Sequence, residues 1–229
     1  KSPIPGTGLI RVHEDLTMAA PARLNPFSND ILISGNWNNH NQIGFVEGSR
    51  TVTFDGLAGS SAISCGGTEF FNDIQFTDGD VDLNTDVEII NATNLSARVN
   101  LNGFDFNIRE PGLISLGASP PGIFVSEDTG LNGTVSIGID SYVLPVTFPF
   151  GTNGGIPIYC VFNNQSGFPG TVTMATYGTG ADNTPWPLTP TPVTNLNSTT
   201  GLIPDNQDAT ADRFWHIDNS QGPIVADIS

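Results

Sequence analysis

Hydrophobic and polar residues alternate in short runs along this chain, and no helical period persists for two turns with suitable caps. Apolar residues at every second position are typical of strands with one buried face. Turn-forming dipeptides such as Asp55-Gly56 and Asp78-Gly79 separate the runs. Many short strands at close, irregular spacing predict an all-β chain, either a parallel β-helix or a sandwich with short strands. The strands predicted before residue 140 are Ile31–Ser34, Arg50–Phe54, Phe70–Phe76, Val81–Ile90, Arg98–Leu101, Phe104–Ile108, Leu113–Leu116, Ile123–Ser126 and Thr134–Ile139.

The pattern changes near residue 140, where the apolar runs become longer. Longer apolar strands that share a core are typical of a β-sandwich half. Upstream, residues 1–30 contain four prolines and predict an N-terminal cap or an extended arm. We therefore divide the chain into residues 1–30, 31–140 and 141–229. The strands predicted in the third region are Val143–Phe148, Ile156–Phe162, Thr171–Tyr177, Arg213–Ile217 and Ile224–Ile228.

The charge balance excludes several classes of partner. The chain has 7 Lys+Arg and 23 Asp+Glu, with a formal net charge of −16. Nucleic-acid binding and docking on anionic lipid both require clustered basic residues, so neither is expected. No apolar run approaches the length of a membrane span, so we expect no membrane insertion.

Acidic residues concentrate between Asp78 and Glu88, where the sequence reads D-G-D-V-D-L-N-T-D-V-E. Oxygen ligands at this spacing suit a hard cation such as Ca²⁺. A calcium loop and a solvated outer strand face with Val81 and Leu83 turned inward both remain open. The candidate calcium ligands are Asp78, Asp80, Asp82, Asp86 and Glu88.

Several segments, in a constant order, resemble a recurrent pattern in large extracellular proteins of gliding, type IX-secreting bacteria. The first is Gly35–Asn39 with Phe45 and Gly48–Gly56. Further segments are similar to the later elements of that pattern, although Asp73 stands where leucine is usual. These segments are Ala62–Phe76, Val81–Ile89, Leu101–Ile108, Phe148–Thr152 and Asp212–Ile217.

The resemblance implies a short parallel β-helix, or solenoid, followed by a β-sandwich-like module. It also implies an extracellular or cell-surface location and a non-catalytic structural or adhesive role. Self-association into a filament or sheath, or contact with other cell-surface proteins, would follow from such a role. A carbohydrate-binding module of a larger secreted enzyme is the alternative.

Candidate chemistry beyond the acidic segment is sparse. No Gly-x-Ser-x-Gly elbow and no H-E-x-x-H motif occurs, so we predict no catalytic residues and no enzyme activity. Trp186, held between Pro185 and Pro187, is the candidate glycan contact. Cys65 and Cys160 would form one disulfide in an oxidising compartment, or remain two separate thiols.

Overall fold

The protein is described by a computed structural model, which covers residues 8–109, 113–117, 121–130, 132–139, 145–164, 170–188, 192–193, 211–220 and 226–228. The chain is all-β, with 53% strand and no helix in these residues. In particular, the described residues include no helix long and apolar enough to cross a membrane.

In the part of the chain that the structure describes, nineteen strands form two sheets of ten and nine strands. Sheet A contains β1 (Leu9–Val12), β3 (Asp30–Ile33), β5 (Thr51–Phe54), β7 (Glu69–Phe76), β9 (Val87–Leu95), β11 (Phe106–Ile108), β14 (Val135–Ile139), β17 (Gly170–Gly178) and β18 (Arg213–Asn219), with β12 (Leu113–Leu116) paired to β9. Sheet B contains β2 (Leu16–Met18), β4 (Trp37–Asn39), β6 (Ser61–Cys65), β8 (Asp80–Leu83), β10 (Arg98–Asn100), β13 (Ile123–Val125), β15 (Val146–Gly151), β16 (Pro157–Asn164) and β19 (Ala226–Ile228).

From β1 to β11, successive strands alternate between the two sheets, which gives a solenoid of about 5 turns. In this region each strand pairs in parallel with the equivalent strand of the next turn, as β3 does with β5 and β4 with β6. The parallel β-helix predicted from the sequence is therefore confirmed.

Side chains of alternating strand positions fill the space between the two sheets. Strand β5 shows the alternation, since Val52 and Phe54 are buried while Thr51 and Thr53 are partly exposed. Equivalent residues of successive turns stack, and the Phe54 and Phe76 rings lie 5.6 Å apart between centroids. Burial of these apolar side chains is the main stabilising contribution to such a fold.

Acidic and amide side chains at the corners join one turn to the next. The Asp15 Oδ1 atom accepts the Asn36 backbone N–H at 2.8 Å, and Asn36 Oδ1 accepts the Ala62 N–H at the same distance. Asp105 Oδ1 accepts both the backbone N–H and the hydroxyl of Thr134. These side chains satisfy backbone donors at corners, where the strand ladder is interrupted.

The last strands extend the same two sheets, but with antiparallel pairing. Strand β17 pairs antiparallel with β14, and β16 pairs antiparallel with β15. Phe148, Phe150 and Met174 belong to the same hydrophobic core as the solenoid residues. A β-sandwich module is not confirmed.

The described part of residues 1–30 forms strands of the solenoid. Strand β1 pairs with β3, and β2 pairs with β4, in the parallel arrangement of the later turns. The boundaries proposed at residues 30 and 140 stay predictions, although the two sheets continue across both.

Candidate functional site

The acidic segment turns a corner between the two sheets. Asp80 and Asp82 lie on β8 of sheet B, whereas Glu88 lies on β9 of sheet A. Val81, Leu83, Thr85 and Val87 are buried at alternating positions, as the solvated-face interpretation predicted for the apolar residues. The single strand predicted over Val81–Ile90 is wrong, because the chain leaves one sheet after Leu83 and enters the other at Val87.

Each candidate calcium ligand already has a hydrogen-bond or ion-pair partner within the protein. Asp78 Oδ1 accepts the Gly79 N–H, Asp82 Oδ1 accepts the Asn100 side chain, and Asp86 Oδ1 accepts the Asp105 N–H. Asp80 lies 3.8 Å from the Arg98 guanidinium, and Glu88 pairs with Arg109.

These five carboxylates do not converge on one point. Among the residues that the structure describes, no group of three or more His, Cys, Asp or Glu side chains is placed to hold a metal ion. Calcium binding by this segment stays a prediction from the sequence.

Cys65 and Cys160 are free thiols, which is the second of the two arrangements that the sequence left open. Cys65 lies on β6 and Cys160 on β16, which are five strand positions apart in sheet B. At the usual strand spacing this separation is about 24 Å, whereas bridged Cα atoms lie within about 7 Å. Burial raises the pKa of the Cys65 thiol to about 11.

Trp186 is partly buried and is not the open platform that its flanking prolines suggested. Its indole nitrogen is buried without a hydrogen-bond partner. The Tyr177 hydroxyl donates to the Pro185 carbonyl oxygen at 2.7 Å and ties this loop to β17. The glycan contact at Trp186 stays a prediction.

A buried carboxyl group, which the sequence analysis did not single out, lies at the start of β7. Glu69 is 2% exposed, and its Oε2 atom accepts a hydrogen bond from Asn39 Nδ2 at 2.8 Å. Burial raises the pKa of Glu69, and the hydrogen bond from Asn39 offsets part of that rise. The Trp37 indole N–H lies beside this carboxyl, but it has no acceptor in hydrogen-bonding geometry.

Glu69 lines a surface cleft of about 460 Å³, which we call the Glu69 cleft. Its walls are mostly apolar, and Ile43 and Val46 are 62% and 39% exposed at its rim. The lining residues are Gln42, Ile43, Phe45, Val46, Glu47, Glu69 and Phe70. The one sequence signal for this site is that Glu69, the first residue of β7, occupies a position of the strand that faces inward. The sequence alone does not reveal that the loop of residues 42–47 packs against Glu69.

Two further clefts include Arg98 in their lining. One, of about 300 Å³, includes Asn100, Asn102, Glu127 and Asn153 in its lining. The other, of about 350 Å³, includes Asp78 and Asp80. Hydroxyl-rich ligands bind to such arrays of amide, carboxylate and guanidinium groups through hydrogen bonds.

The first turn of the solenoid, formed by β1 and β2, lies at the edge of both sheets. Within the described residues, β1 pairs only with β3 and β2 only with β4. The Gly8 carbonyl oxygen accepts a hydrogen bond from the Asp30 N–H of β3, and the Val12 carbonyl oxygen accepts one from Ser34, the residue after β3. Because successive backbone amides of a strand point to opposite sides, those of Leu9 and Arg11 point away from β3. Such an edge can pair with another strand.

The fold places this chain in the class of parallel β-solenoid proteins. No family model, no curated protein and no solved structure matches it.

Proposed function

We propose that this chain is a non-catalytic extracellular structural or adhesive protein that associates end to end through the strand edges of its solenoid. The observation that carries this proposal is the β1 edge, whose Leu9 and Arg11 amides point away from the sheet. A second copy that adds a strand there would continue the ladder by which the turns already pair.

The surface chemistry supports an edge-specific mode of association. With a formal net charge of −16, copies repel one another at long range, which limits non-specific contact. Backbone pairing at a strand edge is short-range and directional, so it can overcome this repulsion at one orientation. The resemblance to surface proteins of gliding bacteria supports an extracellular location.

The test uses the purified full chain, with static light scattering and negative-stain imaging over a range of concentrations. We expect elongated particles that lengthen with concentration, and more so at higher salt, where the charge repulsion is screened. A particle that stays strictly monomeric at high concentration contradicts the proposal.

Arg11→Pro is the informative variant, and Arg11→Ala is its matched control. The proline removes an N–H that points away from β3, so the β1–β3 ladder is preserved while pairing at the free edge is blocked. The alanine removes the same exposed side chain and keeps the N–H. We expect association to fall about tenfold or more in Arg11→Pro and to persist in Arg11→Ala.

The two clefts beside Arg98 favour carbohydrate binding as a second candidate function. A glycan array with the native chain, followed by Arg98→Ala and Trp186→Ala, separates the possible sites. Loss of binding in Arg98→Ala alone supports the clefts, and loss in Trp186→Ala alone supports the proline-flanked loop. Arg23→Ala, at an exposed position, is the control for the loss of one positive charge.

A further inference from the structure

The Glu69 cleft combines apolar walls with two carboxyl groups, Glu47 and the buried Glu69. We propose that it binds an organic cation, specifically a primary ammonium group attached to an apolar body. The ammonium would contact the Glu69 carboxylate, and the apolar body would pack on Phe45 and Val46. This site is separate from the strand edge and does not depend on end-to-end association.

The charge of Glu69 has no cationic partner within the described residues, where none of the ion pairs involves this side chain. Its hydrogen-bond donors are neutral groups, such as the Asn39 amide. A buried carboxylate that lacks a counter-ion is costly, and an ion pair with good geometry reduces that cost. A bound ammonium would supply the missing charge.

Arg109 lies beside Phe70, one of the residues that line the cleft, but it already has an acidic partner. The Arg109 guanidinium lies 5.9 Å from the centroid of the Phe70 ring and forms an ion pair with Glu88. The chain has a single lysine, Lys1, so cations are scarce in this protein. Charge complementarity therefore favours a cation from outside the chain.

The apolar lining selects the class of cation. A hard metal ion takes six or more oxygen ligands, whereas the cleft offers two carboxyl groups and the Gln42 amide. Phe45 packs edge-on against Trp37, with ring centroids 4.8 Å apart, which gives the wall a fixed apolar surface. The volume of about 460 Å³ lies within the range of small-molecule sites.

The test measures binding of n-hexylammonium and n-hexanol to the full chain by isothermal titration calorimetry and saturation-transfer NMR. The two probes have the same apolar body and differ in the charged head. We expect n-hexylammonium to bind about tenfold or more tightly than n-hexanol, because a charge-assisted hydrogen bond to a buried carboxylate is strong. Equal affinities, or no saturable binding of the ammonium, overturn the proposal.

Three variants locate the site. Glu69→Gln should abolish the preference for the ammonium over the alcohol, and Glu47→Gln should weaken ammonium binding about two- to fivefold. Glu14→Gln, at an exposed position outside the cleft, should bind both probes as the native chain does. A preference that survives in Glu69→Gln overturns the proposal. If circular dichroism shows that Glu69→Gln is unfolded, the two probes on the native chain and on Glu47→Gln decide the question.

Discussion

Asp105 illustrates how single acidic residues stabilise the corners of this solenoid. Its Oδ1 atom accepts the Thr134 backbone N–H at 3.0 Å and the Thr134 hydroxyl at 2.8 Å. Asp86 performs the same function for the Asp105 N–H in the preceding turn. Part of the acidic excess therefore serves hydrogen bonding between turns, which neither the calcium nor the solvated-face interpretation anticipated.

We expect Asp105→Ala to lower the free energy of unfolding by about 1–3 kcal/mol, because the Thr134 N–H loses its acceptor. Asp105→Asn is the matched control, since its amide oxygen can accept the same hydrogen bonds, and it should cost less than about 1 kcal/mol. Urea unfolding of the two variants beside the native chain measures both values. Equal destabilisation by the two substitutions would contradict the proposed role of the oxygen.

The buried Glu69 carboxyl should make stability depend on pH. Its pKa in the folded chain is raised above the ordinary value of 4.5, so the folded state binds more protons than the unfolded state between pH 4.5 and the folded pKa. The contribution of Glu69 protonation to the free energy of unfolding is therefore fully present below pH 4.5. It is lost as the pH rises through the folded pKa. The neighbouring Cys65 thiol stays protonated across this range, because its pKa is about 11.

The substitution Glu69→Gln should remove the part of the pH dependence of stability that arises from this carboxyl group. We expect the difference in unfolding free energy between Glu69→Gln and the native chain to shift in favour of the variant as the pH rises from 4.5 to 8. Urea unfolding at a series of pH values measures the difference, with Glu14→Gln as the control at an exposed carboxyl. A difference that stays constant with pH would contradict the raised pKa.

At the scale of elements, the tight turns between strands depend on the space left by neighbouring turns. Gly79 has a φ of +72°, and a Cβ there would overlap the Gly59 carbonyl oxygen of the adjacent turn. Gly155 has a similar φ of +78°, but no atom lies within 4 Å of its Cβ position. The first glycine is required by packing and backbone geometry together, and the second by backbone geometry alone.

We expect Gly79→Ala to lower the free energy of unfolding by about 1–3 kcal/mol more than Gly155→Ala, because only the first substitution creates an overlap. The matched φ values make Gly155→Ala the control for backbone strain. Thermal and urea unfolding of both variants measure the difference. Equal losses would show that the adjacent turn yields to the added methyl group.

Most strands of the solenoid could be predicted from alternation alone, including β3, β5, β7 and β14. The pattern missed β1, β2, β4 and β6, since short strands such as Trp37–Asn39 carry polar residues at buried positions. Asn39 is fully buried because Glu69 accepts its hydrogen bond. A contact between residues thirty positions apart has no local signal in the sequence.

At the scale of the whole molecule, one hydrophobic core extends from Met18 to Met174. Phe76 of β7 and Phe150 of β15 both belong to it and are fully buried. The antiparallel strands β16 and β17 continue the sheets that the parallel turns begin. The described strands on either side of residue 140 thus share their sheets and their core.

The chain should therefore unfold in a single cooperative transition by differential scanning calorimetry. We expect Phe76→Ala and Phe150→Ala each to lower the free energy of unfolding by about 3–5 kcal/mol and to shift the whole transition. Two resolved transitions, with each variant affecting only one of them, would instead support a separate C-terminal module.

The sequence by itself determined the all-β class and the inward set of apolar residues, because alternation with a period of two and frequent turns are local properties of the chain. Those patterns left a parallel β-helix and a sandwich both open, and the tertiary structure shows the solenoid. Only the tertiary structure decided where each strand changes sheet, and so which distant side chains meet. It separated Asp82 from Glu88 at a corner, placed Cys65 and Cys160 five strand positions apart, and brought Glu69 to the 42–47 loop. Those relations depend on the register between turns, which arises from pairing and packing of residues far apart in sequence.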